Sequence, residues 1–176
     1  MKTYPIAMCF VFCVLLVTGC ATAPRAPLTD AGEKIEIMVF SDRGNPSEMT
    51  ERQYEYRVEV GQWMERDLLN MLRRSGYEAV LIESKDKFEA RKGRYLLTVK
   101  IESYNPGSTA ARMLVGFGAG AASLDNHYEL YGAAPQPLMS WNDSVGTSEH
   151  WKRLPRKLNA NTVRKITEQL TTSELQ

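Results

Sequence analysis

The chain has 176 residues, with 22 lysines and arginines against 21 aspartates and glutamates and a formal net charge of +1. This near balance gives no electrostatic reason to expect nucleic acid as a partner. The length suits one domain that buries its own core without support from a metal or a disulfide.

The first residues predict export and a lipid anchor. Lys2 precedes an apolar run, Ile6–Thr18, which is too short to span a bilayer and suits the core of a signal peptide. The run leads into Leu16-Val17-Thr18-Gly19-Cys20, which resembles the bacterial lipobox, and that resemblance implies acylation of Cys20. An ordinary secretory signal and an uncleaved anchor helix are the alternatives.

The predicted anchor defines the organisation of the chain. We expect a signal peptide at 1–19, the lipidated cysteine with a flexible tether at 20–33, and a single periplasmic domain at 34–176. Ala21 rather than an aspartate follows Cys20. By resemblance to the sorting rule of enteric bacteria, this favours the outer membrane, with the domain facing the periplasm and acyl chains as the membrane contact.

Cysteine usage supports the same interpretation. Cys9 and Cys13 lie in the segment that would be removed, and Cys20 would carry the lipid. The mature chain would then have no thiol for a disulfide, for thiol catalysis or for cysteine-ligated zinc, although it would lie in an oxidising compartment.

Hydrophobic periodicity predicts a small α/β (α+β) domain. The predicted elements, in chain order, are a strand at Lys34–Phe40, a long helix at Glu48–Ser75, strands at Glu78–Ser84, Arg94–Tyr104 and Ser123–Tyr131, a returning strand at Pro137–Gly146, and a final helix capped by Asn159 or Asn161. We expect a small mixed sheet of about five strands with both helices packed on one face. Gly61 should mark close packing of the long helix on the sheet, and Gly76 should end that helix.

One stretch, Arg112–Leu124, is unusually rich in small residues. If it is extended, Gly116, Gly118 and Gly120 form a nearly bare face, which permits close approach of another segment or a bend. A bent strand or loop inside the fold and a contact surface for a partner are the two interpretations. A helix with a G-x-x-x-G pair is a third, although the stretch is far too short to span a bilayer.

The candidates for catalysis and cofactor binding are weak. Gly116–Ala121 has the letters of the G-x-G-x-x-A dinucleotide fingerprint, but the stretch leads into alternating strand residues instead of a helix, so we expect no cofactor. Asp125, His127 and Glu129 share a strand face. Two carboxylates and one imidazole on a solvated face are more typical of a polar surface than of a metal site, so no metal is expected. No serine has a pattern that would activate it, and we expect no enzymatic activity.

The central motifs resemble a known family. Tyr104–Ser108, then Ala111-Arg112, then the run ending in Gly116-Phe117-Gly118-Ala119-Gly120 look like a family of bacterial lipoproteins catalogued as a domain of unknown function, with the signature Arg-x-x-x-Gly-Phe-Gly-Ala-Gly. The family's usual turn after Leu130 is replaced by Gly132–Pro137. The order of elements is also similar to the periplasmic domains of the curli-secretion channel lipoprotein and to the amino-terminal domain of the Tol-Pal translocation protein.

Two functional hypotheses follow. The first is an interaction or assembly module of the envelope, which contacts a partner protein or a second copy through an exposed sheet edge and through Arg112, Gly116, Gly118 and Gly120. The second is a binder or carrier of a small apolar or lipid ligand held between the sheet and the helices. Fold similarity alone decides neither.

Overall fold

The structure, a computed structural model, describes residues 25–107 and 120–173. The strands are β1 (Glu36–Asp42), β2 (Glu78–Ile82), β3 (Arg94–Asn105), β4 (Ala122–Tyr131) and β5 (Pro137–Thr147), and the helices are α1 (Glu51–Arg74) and α2 (Arg153–Ser173). The predicted α+β class is confirmed. Within the described residues, no helix is long and apolar enough to cross a membrane.

The five strands form one mixed sheet in the order β2-β1-β3-β4-β5. β1 pairs in parallel with both β2 and β3, whereas β3, β4 and β5 pair antiparallel. The helix α1 connects β1 to the parallel strand β2, and β4 returns through a short turn to β5. The predicted mixed sheet and hairpin are therefore confirmed.

Local sequence explains both ends of α1. Thr50 accepts a hydrogen bond from the backbone N–H of Gln53, and the Gln53 side chain accepts one from the backbone N–H of Thr50, which forms a capping box. Gly76 has a φ of +104°, which is the left-handed conformation that terminates a helix. The helix starts at Glu51, three residues after the predicted Glu48, and the predicted termination at Gly76 is confirmed.

Both helices pack on the same face of the sheet, as expected. The core between them contains the inward residues of every strand together with the apolar stripes of the two helices, including Ile37, Val39, Leu68, Leu97, Leu124, Tyr128, Leu158 and Ile166. The opposite face, which we call the open face, carries a small apolar cluster where Phe88 packs against Met38, Ile82 and Leu96. Tyr131 of β4 packs against this cluster, and farther along β4 the open face carries the polar residues Asp125, His127 and Glu129.

Two predicted details of the helices are wrong. The final helix begins at Arg153, before the expected caps, because Pro155 is compatible with the first turn of a helix. Asn159 is fully buried, and its amide donates to the carbonyl oxygen of Met64 at 3.0 Å, so it links the two helices instead of capping one. Gly61 faces the Arg43 side chain and not the sheet backbone: a Cβ there would lie 3.0 Å from Nε of Arg43.

The folded part begins before the expected boundary at Lys34. The backbone N–H of Ala26 donates to the carbonyl of Ser75 at the end of α1, and Leu28 forms a bridge with Lys34. The chain therefore enters the domain at the end where β1 and β3 begin. The turn joining β3 to β4 lies at the other end of the sheet.

Candidate functional site

The outer edge of β5 is the longer of the two edges of the sheet. β5 has eleven residues and forms one side of the sheet, and no described strand pairs with its outer edge. At about 3.3 Å per residue, it presents roughly 36 Å of strand edge. Such an edge is a template for pairing with another chain.

The edge at the other side of the sheet is protected. β2 has only five residues, and the Arg73 guanidinium donates two hydrogen bonds, of 2.7 and 3.1 Å, to the carbonyl oxygen of Ala79. A short strand with an occupied carbonyl is a poor template. The two edges of the sheet therefore differ in their capacity to accept a strand.

β5 has the usual protection of an edge strand only at its start, where Pro137 lies and the register against β4 shifts. Apart from Pro137 at its start, it contains neither proline nor lysine, and its single charged residue is Asp143. The Asp143 carboxylate is held by the Asn161 amide at 3.1 Å, and it also accepts the backbone N–H of Ser144 at 3.0 Å. Among the described residues, the Ser144 N–H is thus the one N–H on the outer edge of β5 that donates to a side chain of β5.

The inward side of β5 is firmly attached to the domain. The ring of Trp141 stacks on Tyr128 with centroids 5.0 Å apart, and Lys165 of α2 lies 5.5 Å from the centroid of the same indole. Burial raises the pKa of Tyr128 to about 12. The strand is therefore a rigid edge, fixed from behind by β4 and α2.

A polar ladder crosses the open face from β3 to β5. Asp125, His127 and Glu129 of β4 share this face, as predicted. His127 contacts Oδ1 of Asn142 through Nδ1 at 2.6 Å and lies 3.4 Å from Oγ of Ser140 through Nε2. Together with Lys100, the residues around His127 line an open depression of about 640 Å³.

The carboxylates of this ladder are satisfied by neighbouring hydroxyl groups. Hydrogen bonds from Ser103 and Ser144 hold the pKa of Asp125 below its usual value. The hydroxyl of Tyr131 donates to Glu129 at 2.7 Å and is the main cause of the lowered pKa of that carboxylate. Both acids are therefore charged, hydrogen-bonded surface groups at neutral pH.

The arrangement offers little to a metal ion. Among residues 25–107 and 120–173, no cluster of three or more His, Cys, Asp or Glu side chains is positioned to hold one. His127 and Glu129 approach to 3.7 Å, but Asp125 is bonded to serines on its other sides. The chemistry of this face is that of hydrogen bonding.

The predicted contact residues are only partly described. Cys20, Arg112, Gly116 and Gly118 lie outside the described residues. Gly120 precedes β4 with a φ of +68°, and a Cβ placed on Gly107 would lie 2.5 Å from its carbonyl oxygen. The expected extended, bare face is therefore not present at Gly120, which closes the base of the β3–β4 connection.

Strand β3 ends just before Gly107, and its pairing partner β4 begins just after Gly120. Ala122, which would continue the bare face, is 1% exposed and packs in the core. Asn105 pairs with Ser123, so β3 and β4 are already joined at this end of the sheet. The two ends of the 108–119 segment are thus held next to each other.

Sequence reasoning missed the residues that distinguish the two sheet edges. The sequence patterns assign Arg73 no role at a sheet edge, and they include Asn142 and Ser144 only as members of the returning strand Pro137–Gly146. One signal was present: β5 is the last predicted strand and is followed only by a helix. A terminal hairpin strand is an edge unless another strand adds beside it.

The fold and site define an α+β domain with one protected and one unprotected sheet edge, and comparison with known proteins identifies its family. The chain belongs to the family described as Domain of unknown function (DUF4410), whose model matches residues 29–148. A search of curated proteins gives no match.

Several solved structures are similar to the chain. The PelC dodecamer from Paraburkholderia phytofirmans, in one crystal form, has 15% identity and a TM-score of 0.47 over 82% of this chain and 93% of that one. A neuraminyllactose-binding hemagglutinin homologue from Helicobacter pylori has 11% identity and a TM-score of 0.34 over 84% of this chain and 85% of that one. These likenesses are too distant to transfer a function.

Proposed function

We propose that this chain is a lipid-anchored protein-interaction or assembly module of the bacterial envelope. The anchor is the acylated Cys20, the location is the outer membrane, and the domain faces the periplasm. The basis for the anchor is the basic start, the short apolar run and the cysteine that ends it. The proposed activity is binding, without catalysis and without a cofactor.

One observation carries the interaction role: the domain protects one sheet edge and leaves the other free. Arg73 occupies the Ala79 carbonyl on β2, whereas β5 presents eleven residues with a single charged side chain. Edge strands bind extended segments through main-chain hydrogen bonds, with alternate side chains providing specificity. β5 therefore has the properties of a strand-addition site.

The alternative function, a carrier of an apolar or lipid ligand, has no specific observation in its favour. The volume between the sheet and the helices is filled by side chains such as Leu97, Leu124 and Leu158, which are fully buried. The depressions around the described residues are open to solvent, and the one beside His127 is lined by polar groups. An apolar ligand would have to displace the core.

The interaction role is tested by photocrosslinking in living cells. A photoreactive benzophenone amino acid replaces Asn142, which is exposed at the middle of β5. The control carries the same group at Gln62, which is exposed on α1 away from the sheet edge. A discrete adduct from position 142, with none from position 62, is expected. Equal adducts from both positions, or none from position 142, would contradict the proposal.

The anchor is tested separately by Cys20→Ser. We expect the variant to lose its acyl chains, as shown by mass spectrometry, and to leave the outer-membrane fraction. Several acyl chains bind a membrane firmly because each buried methylene contributes about 0.8 kcal/mol. Membrane retention of the unacylated variant would disprove the proposed mode of attachment.

A further inference from the structure

We infer that the strand received by the free edge of β5 is β5 of a second copy, paired antiparallel about a two-fold axis that passes beside Asn142. This inference rests on the proposed function, because it names the partner of the same edge. An isologous contact of this kind requires a surface that is complementary to itself. The properties of β5 meet that requirement in three respects.

The first respect is the direction of the backbone groups. The N–H of Ser144 donates to the Asp143 carboxylate, so it points to the free edge and not to β4. Neighbouring residues of an antiparallel strand alternate in the edge to which their N–H and C=O groups point. From Met139 onward the outward residues of β5 are therefore Ser140, Asn142, Ser144 and Gly146; at Leu138 the register against β4 shifts, so the alternation does not extend to it.

The second respect is register. Asn142 is the midpoint of Pro137–Thr147, so an axis at this residue overlaps the whole strand with its copy. Asn142 then faces its own copy as a hydrogen-bonded pair, and Ser140 faces Ser144 of the second copy. In this register, between Ser140 and Ser144, each residue whose N–H and C=O groups point outward faces another such residue of the second copy. The two strands can therefore form a regular antiparallel ladder.

The pairs on the helix side of the sheet are also compatible. Met139 would face Val145 of the second copy, which joins two apolar side chains, and Trp141 would face Asp143. Shifting the axis to Ser140 or to Ser144 would leave part of the strand without a partner. The central register thus gives the most pairing.

The third respect is charge. Asp143, the single charged residue of β5, does not face its own copy in this register, so no like charges are opposed. It faces Trp141, over whose ring Lys165 lies at 5.5 Å. Each copy would therefore place the Lys165 ammonium near the Asp143 carboxylate of the other. Opposite charges in this position favour the dimer.

The structure also disfavours a head-to-tail arrangement in which β5 adds to β2 of the next copy. β2 is less than half as long as β5, and Arg73 occupies its outward Ala79 carbonyl. Such a contact would have to break two hydrogen bonds of 2.7 and 3.1 Å before it formed its own. Pairing of β5 with its own copy has a smaller cost on each strand, because only the 3.0 Å bond from the Ser144 N–H to the Asp143 carboxylate has to be exchanged for a bond to Ser140 of the copy.

Cysteine crosslinking in membranes tests both the partner and the register. In a hydrogen-bonded antiparallel pair the Cα atoms are about 5.5 Å apart, within the range that a disulfide spans. The full chain carrying Asn142→Cys should therefore form a disulfide dimer on mild oxidation. Asn142 is exposed, so the substitution leaves the core untouched. The oxidised wild-type chain controls for Cys9, Cys13 and Cys20.

Matched variants on the same strand fix the axis. Ser140→Cys alone places the two thiols four residues apart along the ladder, roughly 13 Å, so it should give at least about tenfold less dimer than Asn142→Cys. Coexpression of Ser140→Cys with a differently tagged Ser144→Cys chain should restore the crosslink as a mixed dimer. This pair tests the same register without altering Asn142.

The outcomes separate this inference from the proposed function. Equal dimer from Ser140→Cys and Asn142→Cys, or no dimer from Asn142→Cys and from the mixed pair, overturns the two-fold pairing. If the photoreactive group at position 142 still gives a discrete adduct with a different protein, the interaction role stands and only the identity of the partner is wrong. If position 142 gives no adduct either, both fail.

Discussion

The Arg57 guanidinium donates a 2.8 Å hydrogen bond to the carbonyl oxygen of Ile101, where the register of β3 against β4 shifts. Its second terminal nitrogen donates to the carbonyl of Glu102, also at 2.8 Å. A bulge disrupts the ladder locally and leaves a residue unpaired. Arg57 thus attaches α1 to the bulged part of β3.

We expect Arg57→Ala to lower the free energy of unfolding by about 1–3 kcal/mol, because hydrogen bonds from charged groups are worth about that much. Urea unfolding followed by tryptophan fluorescence measures the change. The matched control is Arg52→Ala on the same helix: Arg52 is exposed and donates to Tyr56 of the same helix, so its loss should cost less than about 0.5 kcal/mol. Equal effects of the two substitutions would disprove the role of Arg57.

Gly107 and Gly32 provide a second matched comparison. Both have a φ near +77°, but a Cβ on Gly107 would lie 2.5 Å from the carbonyl oxygen of Gly120, whereas a Cβ on Gly32 meets nothing within 4 Å. Gly32→Ala should cost only the conformational strain, about 1 kcal/mol. Gly107→Ala should cost at least about 1 kcal/mol more, because a backbone atom must move.

Thermal and urea unfolding of the two glycine variants measure this difference. An equal loss from both would show that the base of the β3–β4 connection is looser than the structure describes. A Gly107→Ala variant that fails to fold, beside a folded Gly32→Ala variant, would agree with the expected order.

Glu129 predicts a pH dependence of stability. The hydrogen bond from Tyr131 is the main cause of its lowered pKa, with Thr98 and Lys85 contributing. Because the pKa is lower in the folded chain, the stabilisation is fully present above the ordinary value of 4.5 and is lost as the pH falls through the lower folded value. When the pH is lowered below 4.5, the free energy of unfolding should therefore decrease less for Glu129→Gln than for the wild-type chain.

Acid unfolding curves of the wild-type chain, Glu129→Gln and Tyr131→Phe test this expectation. Tyr131→Phe removes the principal hydrogen bond but leaves the carboxylate, so its acid dependence should be intermediate. If Glu129→Gln has the same dependence on pH as the wild-type chain, Glu129 does not carry this stabilisation.

The ion pair between Arg43 and Glu65 predicts that replacing one partner destabilises the chain more than replacing both. Nη2 of Arg43 lies 2.7 Å from Oε1 of Glu65, a carboxylate whose side chain is only 9% exposed. Arg43→Met should destabilise the chain by roughly 2 kcal/mol, because it leaves a buried carboxylate without its partner. The double variant Arg43→Met with Glu65→Met should be more stable than the single variant in urea unfolding. A larger loss from the double variant would refute this account.

Much of the fold could be predicted because its elements are locally determined. Alternation in β3 and β4 assigns their inward residues correctly, for instance Leu97 and Leu124, and the Thr50 cap and the Gly76 terminator define the long helix. The start of α2 was wrong because Asn159 is typical of a helix cap as a residue type. Its actual role, a bond to Met64 across two helices, depends on tertiary packing.

The candidate site was less predictable, since it is a property of the assembled sheet. An exposed edge was expected, but local patterns do not state that β1 lies between β2 and β3 or that β5 ends the sheet. The protective contact of Arg73 with Ala79 likewise depends on the packing of α1 beside β2. The shared face of Asp125, His127 and Glu129 was correct because alternation within one strand determines it.

The length of β3 has a mechanical consequence. Its twelve residues run from the end of the sheet that Ala26 contacts to the end where Gly107 meets Gly120, a span of roughly 40 Å. If the acyl chains on Cys20 hold the first of these ends at the membrane surface, as proposed, the sheet fixes the distance between that end and the other. The end where Gly107 meets Gly120 would then lie as far as roughly 40 Å from the anchored end.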